Sequence, residues 1–161
     1  MVAENDLIAK TLFSLLYWTG MRIGEALALT KSDIDLDDGI ISINKSYTRF
    51  EKEDNISPTK TPKSVRKISI HKELVELMRE YMDKLPYLMP NDRLFELSKH
   101  TTRKLLQKYA KQANVKSIRV HGLRHSHASL LIELGFSPLL ISQRLGHEKL
   151  DTIESIIKNN N

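Results

Sequence analysis

Four short segments carry side chains whose type and spacing suit work on an anion. In Thr19-Gly20-Met21-Arg22-Ile23-Gly24-Glu25 an arginine stands on the first turn of a helix, directly after a glycine turn. Backbone N–H groups and the helix dipole favour an anion at that end, and the guanidinium adds a planar fork that matches phosphate. The alternative is a local ion pair of Arg22 with Glu25 or Asp33. Pro58-Thr59-Lys60-Thr61 puts a lysine near a hairpin tip, either reaching into a groove or simply solvated. In His121-Gly122-Leu123-Arg124-His125-Ser126-His127, His121 and Arg124 are three apart and share a helical face. In Leu145-Gly146-His147 a histidine follows a glycine that ends a helix. Cationic and protonatable groups of these kinds can stabilise a phosphate and move protons near neutral pH. A metal reading fits poorly. His121 and His125 have the spacing of a helical ligand pair, but no acid lies between them, the next is Glu133, and the chain has no cysteine. We therefore expect no metal and no cofactor.

The elements that position these groups belong to one domain, because 161 residues is an ordinary domain length. With 40% hydrophobic and 28% charged residues the chain is globular rather than disordered, and it needs no disulfide staple. No apolar run approaches the roughly 18 residues of a membrane span. The opening MVAENDLIAK has no basic segment followed by an apolar core, so the expected compartment is the cytoplasm. The net charge of +5 is compatible with nucleic acid without requiring it. Its distribution says more. Residues 57–70 hold Lys60, Lys63, Arg66 and Lys67 with no acid, and residues 101–119 hold Arg103, Lys104, Lys108, Lys111, Lys116 and Arg119 with no acid. Two such stretches form one electropositive face if the fold brings them together.

Asp6 is expected to cap a first helix, apolar on nearly all sides through Leu7, Leu12, Leu15, Leu16 and Trp18, and stopped by Thr19-Gly20. A second helix should run from about Arg22 to Leu29. Asp37-Asp38-Gly39 signals a turn before the alternating strand 39–44. Residues 47–50 continue that strand or form another, 51–58 read as a polar loop, and 65–70 read as the next strand. From His71 the period becomes helical, with Leu74, Val75, Met78, Met82 and Leu85 on one face until Pro86. Thr101 is expected to cap a further helix, Leu123–Leu134 to form another, and Ser137-Pro138 to start one that ends near Gly146. A last weak helix is expected near Leu150. The fold class is α+β, mostly α: helices with a small antiparallel β-sheet inserted near the N-terminal third.

Taken together, these segments resemble the catalytic domain of the tyrosine recombinases, the phage and transposon integrase family. The similarity lies in TGMRIGEALALTKSDID (19–35), TKTPKSVRKISI (59–70), HGLRHSHASLLIELG (121–135) and LISQRLGHEKLDT (140–152), nearly the whole chain. The resemblance implies the recombinase catalytic-core fold and chemistry on a DNA phosphodiester: a tyrosine attacks the scissile phosphate, leaving a 3′-phosphotyrosyl link and a free 5′-hydroxyl, without metal or nucleotide. It implies that Arg22 and Arg124 hold the non-bridging oxygens, that Lys60 protonates the leaving 5′ oxygen, and that His121 and His147 hydrogen-bond the phosphate and assist proton transfer. Lys63, Arg66, Lys67, Arg103, Lys104 and Lys108 are the expected DNA-binding cations. The implied partners are double-stranded DNA and, in a synaptic complex, other integrase subunits; no membrane is involved.

One part of the family pattern departs. The nucleophilic tyrosine should follow the Leu-Gly-His histidine by nine or ten residues, where Ile156 and Ile157 stand, and the tyrosines here are Tyr17, Tyr47, Tyr81, Tyr87 and Tyr109. Ser155 is read as a helix residue. The expectation is a single catalytic domain over 1–161 with an incomplete C-terminal end and without the family's N-terminal DNA-clamping domain, binding DNA but not cleaving it. The competing readings are a non-catalytic DNA-binding regulatory remnant of an integrase and, less favoured by the short chain and the Leu-Gly-His segment, a type IB topoisomerase relative.

Overall fold

The computed structural model describes residues 4–146 and Ser155, which is helical. In chain order the elements are α1 (Glu4–Thr19), α2 (Ile23–Ala28), β1 (Ile34–Asp35), β2 (Ile40–Ile43), β3 (Lys45–Phe50), β4 (Glu53–Pro58), β5 (Arg66–Ser69), α3 (Lys72–Asp83), α4 (Lys99–Gln112), α5 (Val120–Glu133) and α6 (Pro138–Leu145). The α+β class with predominant helix is as the sequence indicates. The helix expected near Leu150 falls almost wholly outside the described residues.

The first helix is the hub. Apolar on nearly every side, α1 buries Leu7, Leu12, Leu15 and Leu16 and lies against α2, α3, α4 and α5. Asp6 does not cap it: the chain is already helical from Glu4, and the Asp6 carboxylate instead accepts the Tyr109 hydroxyl of α4. The main core continues through Leu27, Ile41, Ile43, Ile68, Leu74, Met78 and Phe95. A small second cluster, Ala128, Ile141 and Leu145, joins α5 to α6. None of the described helices is long and apolar enough to cross a membrane.

Strands β1, β2 and β5 form an antiparallel sheet in that order. Its alternation turns Ile41, Ile43 and Ile68 into the core. Strands β3 and β4 form a separate hairpin, with Lys45 opposite Pro58 and Phe50 opposite Glu53. The stretch read as a polar loop is therefore mostly strand. Its turn residues Glu51 and Lys52 have φ of 49° and 69°, a two-residue reversal made without the Asn-Gly or Asp-Gly signal that would reveal it. On this hairpin Tyr47 is buried, and Ile56 opposite it is exposed, so no alternation marks β4.

The helix starts follow local rules with one correction. His71 caps α3 through Nδ1, which accepts the Leu74 amide at 3.2 Å. Ser98, not Thr101, caps α4, its hydroxyl accepting the Thr101 amide at 3.1 Å; the helix begins one turn earlier than the apolar spacing suggests because its first turn is wholly polar. Ser137 caps α6 as expected, with Pro138 in the first turn. Between α3 and α4 the irregular stretch is pinned by Arg93, which donates to the Leu27, Phe95 and Leu97 carbonyls at 2.8–2.9 Å and stacks over the Tyr47 ring.

Gly20 marks the closest approach in the fold. Its φ is +66°, and a Cβ there would lie 2.5 Å from Leu145 Cδ2 and 2.6 Å from His127 Cδ2. Gly20→Ala combines a strained left-handed residue with overpacking and should cost about 2–4 kcal/mol. The expected readout is a lower urea midpoint at unchanged slope; an unchanged midpoint would show that this seam is not close-packed.

Candidate functional site

The turn at Gly20 delivers Arg22 to the N-terminus of α2. The Arg22 backbone N–H donates to Glu25 Oε2 at 2.8 Å, and its Nη1 reaches Glu25 Oε1 at 3.2 Å. The local ion pair thus forms, yet the Arg22 side chain stays 41% exposed while Glu25 is 2% exposed. The reason is that Glu25 is shared. From β5, Arg66 Nη1 and Nη2 meet the two carboxylate oxygens at 3.0 and 2.9 Å. Burial pushes the Glu25 carboxyl up, but Arg66 and then Arg22 outweigh it and hold the group below the usual carboxylate range.

Arg66 also donates to the Ser64 and Arg144 carbonyls, at 2.9 and 2.8 Å. Its side chain is only 6% exposed. The expectation that Arg66 faces DNA is corrected here: strand alternation turns Arg66 and Ile68 inward and leaves Lys67 outward.

From α5, buried Arg124 donates Nη1 to the Gly20 carbonyl at 2.6 Å and Nη2 to the Leu145 carbonyl at 2.7 Å. One guanidinium therefore ties the turn before Arg22 to the end of α6, two residues ahead of His147. Burial, then the charge of Arg22, lowers its pKa to about 9, with Glu25 acting the other way. It remains a cation at neutral pH. His121 sits nearly one turn earlier on the same helix. Burial, then His125, Arg124 and Arg22, lower its pKa, so the neutral imidazole is favoured. Its ring meets His125 edge-on at 4.7 Å. Among the described residues no three metal-ligating side chains gather.

Arg22, His121 and Arg124 thus lie within one another's electrostatic reach. Lys60 stands apart. It is exposed in the bend after β4, whereas the hairpin tip is Glu51 and Lys52, so the expected tip lysine is a lysine at the hairpin base. The inserted β4 strand accounts for the difference. Among the described residues no hydrogen bond or ion pair joins Lys60 to the other three. His147, Ile156 and Ile157 lie outside the described residues.

Behind the site, Arg144 Nε donates to His127 Nε2 at 3.1 Å, and its Nη2 reaches the Trp18 and Ser69 carbonyls at 3.1 and 3.3 Å. A groove of about 760 Å³ is lined by Ile23 and Val120, the sequence neighbours of Arg22 and His121, and by Lys99, His100, Arg103 and Arg119 among others. Of the expected DNA-binding cations Arg103 lines this groove. Lys104 and Lys108 do not; the Lys108 ammonium sits 5.0 Å over the Tyr109 ring. Lys63 and Lys67 are exposed on the β4–β5 loop and β5. The acid-free window begins at Thr101 and so passes over Lys99 and His100; their helical spacing to Arg103 is the signal that finds them.

Comparison with known proteins follows the same lines. Residues 2–160 match the family described as the phage integrase family. The chain is 31% identical over 165 residues to the ICEBs1 integrase of Bacillus subtilis, covering 94% of this chain and 45% of that protein. It is 34% identical over 151 residues to the tyrosine recombinase XerA of Thermococcus kodakarensis, covering 89% of this chain and 48% of that one. Among solved structures, the Tn1549 transposon integrase in complex with transposon right end DNA superposes with a TM-score of 0.79 at 21% identity, over 91% of this chain and 53% of that one. The XerH site-specific recombinase bound to difH substrate superposes with a TM-score of 0.76 at 25% identity, over 98% of this chain and 44% of that one. The chain spans about half the length of the curated relatives it matches.

The buried His127 makes this region acid-sensitive. Burial, then Arg144, lowers its pKa from 6.5 to about 4. Between those values the unfolded chain holds more protons than the folded one, so stability is complete above about pH 6.5 and falls as pH drops towards 4. The loss should reach about 2–3 kcal/mol, read as urea midpoints between pH 7.5 and 4.5. His127→Gln, which keeps an acceptor and cannot titrate, should flatten the profile. A flat profile in the unaltered chain would contradict the assignment.

Proposed function

The chain belongs to the phage integrase family, and from that premise we propose that it binds duplex DNA and holds one phosphodiester for transesterification in site-specific recombination. The observation that carries this reading is a cluster of cations with too little counter-charge among the described residues. Arg22, Arg66, Arg124 and Arg144 lie close together, and Glu25, which pairs with Arg22 and Arg66, balances one charge. Arg22 is partly open to solvent, and an anion entering there would meet it, Arg124 and neutral His121.

In this reading Arg22 and Arg124 hold the non-bridging oxygens, whose charge grows in the transition state. Neutral His121, with His147, accepts and returns a proton at the phosphate. Lys60 is the proton donor to the leaving 5′ oxygen, carried on an exposed loop that bound DNA can draw in. The groove of Lys99, His100, Arg103 and Arg119 takes backbone phosphates beside the reacting one, and Lys63, Lys67, Lys104 and Lys108 add more distant charge. Residues 1–161 act as one catalytic domain, in the cytoplasm, with further integrase subunits as partners in a synaptic complex. The Tyr47, Tyr81 and Tyr109 hydroxyls are engaged by Asp54, the Leu94 carbonyl and Asp6. The role proposed for residues 1–161 is holding the phosphate, with the nucleophile to be supplied.

Binding of a nicked duplex should weaken steeply with salt, with a log–log slope of about −0.9 per phosphate neutralised. Arg103→Gln and Arg119→Gln should each make that slope shallower by about one phosphate. Binding that ignores salt would remove the DNA reading.

A suicide substrate tests the chemistry separately. The unaltered chain should form no covalent adduct, because covalent catalysis needs a nucleophile in line with the phosphate. Ile156→Tyr and Ile157→Tyr should be compared, since the family spacing from His147 admits either position. An adduct on any of the five existing tyrosines would overturn this assignment.

A further inference from the structure

Glu25 poses a problem that the proposed phosphate site must solve. Its carboxylate is buried, charged, and one hydrogen bond away from Arg22, the residue assigned to hold phosphate. A buried carboxylate draws in any cation that can reach it, because leaving its oxygens unsatisfied away from water is costly. Arg22 can reach it: Nη1 already touches Oε1, and the side chain is partly exposed rather than packed in place. What keeps Arg22 from folding inward into a two-pronged pair is that the remaining acceptor positions are filled.

We propose that Arg66 is a positioning residue that occupies the Glu25 carboxylate and so leaves Arg22 open for the phosphate. This rests on the reading of Arg22 as a phosphate ligand given above. The geometry supports it from several sides. Arg66 makes the fork-to-fork contact with both Glu25 oxygens, the arrangement Arg22 would otherwise adopt. Arg66 is itself fixed by the Ser64 carbonyl on one side and the Arg144 carbonyl on the other, so it cannot be drawn away by a passing anion. Room for it is made by Gly146, where a Cβ would lie 2.9 Å from Arg66 Nη1. Ser64 stands in the loop that carries Lys60, and Arg144 in the last turn of the helix before His147. Arg66 thus sets Arg22 from the same anchor points that carry two other assigned groups.

A simple strut and a positioning residue differ in how Arg66 and Glu25 combine. The test titrates inorganic phosphate into the ¹⁵N-labelled 161-residue chain and follows the Arg22 and Arg124 Nε signals. R66M should weaken phosphate binding about 10- to 100-fold, the value of a charge-assisted contact, as Arg22 turns to Glu25. The double variant E25Q/R66M lacks the carboxylate that captures Arg22 and should recover most of that affinity, although it lacks the same struts. R66K keeps the charge without the fork and should bind more tightly than R66M. A double variant as weak as R66M, or R66M binding like the unaltered chain, overturns the proposal. If R66M does not fold, E25Q alone decides: it should bind phosphate at least as well as the unaltered chain, and a loss of binding overturns the proposal. An unaltered chain in which phosphate moves neither arginine signal would instead remove the phosphate site itself.

Discussion

Arg124 is a cation buried at the junction of α1, α5 and α6, and its partners are carbonyls rather than a carboxylate. Desolvating a guanidinium costs several kcal/mol. The Gly20 and Leu145 carbonyls that offset this cost lie at the C-terminal ends of α1 and α6. Helix C-termini leave carbonyls without intrahelical donors and carry the negative end of the helix dipole. Arg144 follows the same rule through the Trp18 carbonyl of α1, and Arg66 through the Arg144 carbonyl of α6. The interior arginines therefore solve two problems at once, their own burial and the unsatisfied ends of two helices. Because dipoles cannot cancel a net charge, the described residues of the cluster keep a positive field, on which the proposed phosphate site rests.

This arrangement explains why both helices stop where they do. Each ends at a glycine in the left-handed region, Gly20 at φ +66° and Gly146 at φ +65°. A left-handed terminus turns the chain sharply and leaves the last carbonyls facing outward from the helix. At these two places an arginine takes them up. The glycines also allow contact that no side chain would permit, with Leu145 and His127 pressed on Gly20 and Arg66 on Gly146. The short segments read in the sequence as helix stops are thus also the seams at which candidate site residues meet.

What the sequence discloses follows from this. Caps and stops with local causes were legible: Ser137-Pro138 at α6, Gly20 and Gly146 at helix ends, the turn at Gly39 before β2. Arg22, His121 and Arg124 could be singled out as candidate anion ligands from residue type and position at helix starts, and the fold places them within one another's electrostatic reach. Features decided by distant partners were not. Nothing local distinguishes Arg66, which faces the core, from Lys67, which faces solvent, in a strand whose burial depends on its neighbours. Asp6 has the composition of a cap but serves Tyr109 of α4, 103 residues on. Strand β4 is polar apart from the exposed Ile56, so its pairing with β3 leaves no hydrophobic alternation, and with it the position of Lys60 was displaced from tip to base.

The division between interior and exposed cations also changes what the net charge means. The chain carries 25 lysines and arginines. Arg66 and Arg124 are held inside by carbonyls and, for Arg66, by Glu25, while Arg144 is half-buried. Lys63, Lys67, Arg103 and Arg119 are exposed. In the proposed reading the exposed group would set the strength of non-specific DNA attraction, while the buried group would favour one position for the phosphate. A surface cation tolerates replacement by another cation because only its charge is used. An interior arginine does not, because its planar fork must reach a specific carbonyl or carboxylate. In this fold, tolerance to Lys–Arg exchange should follow burial rather than distance from the reacting phosphate.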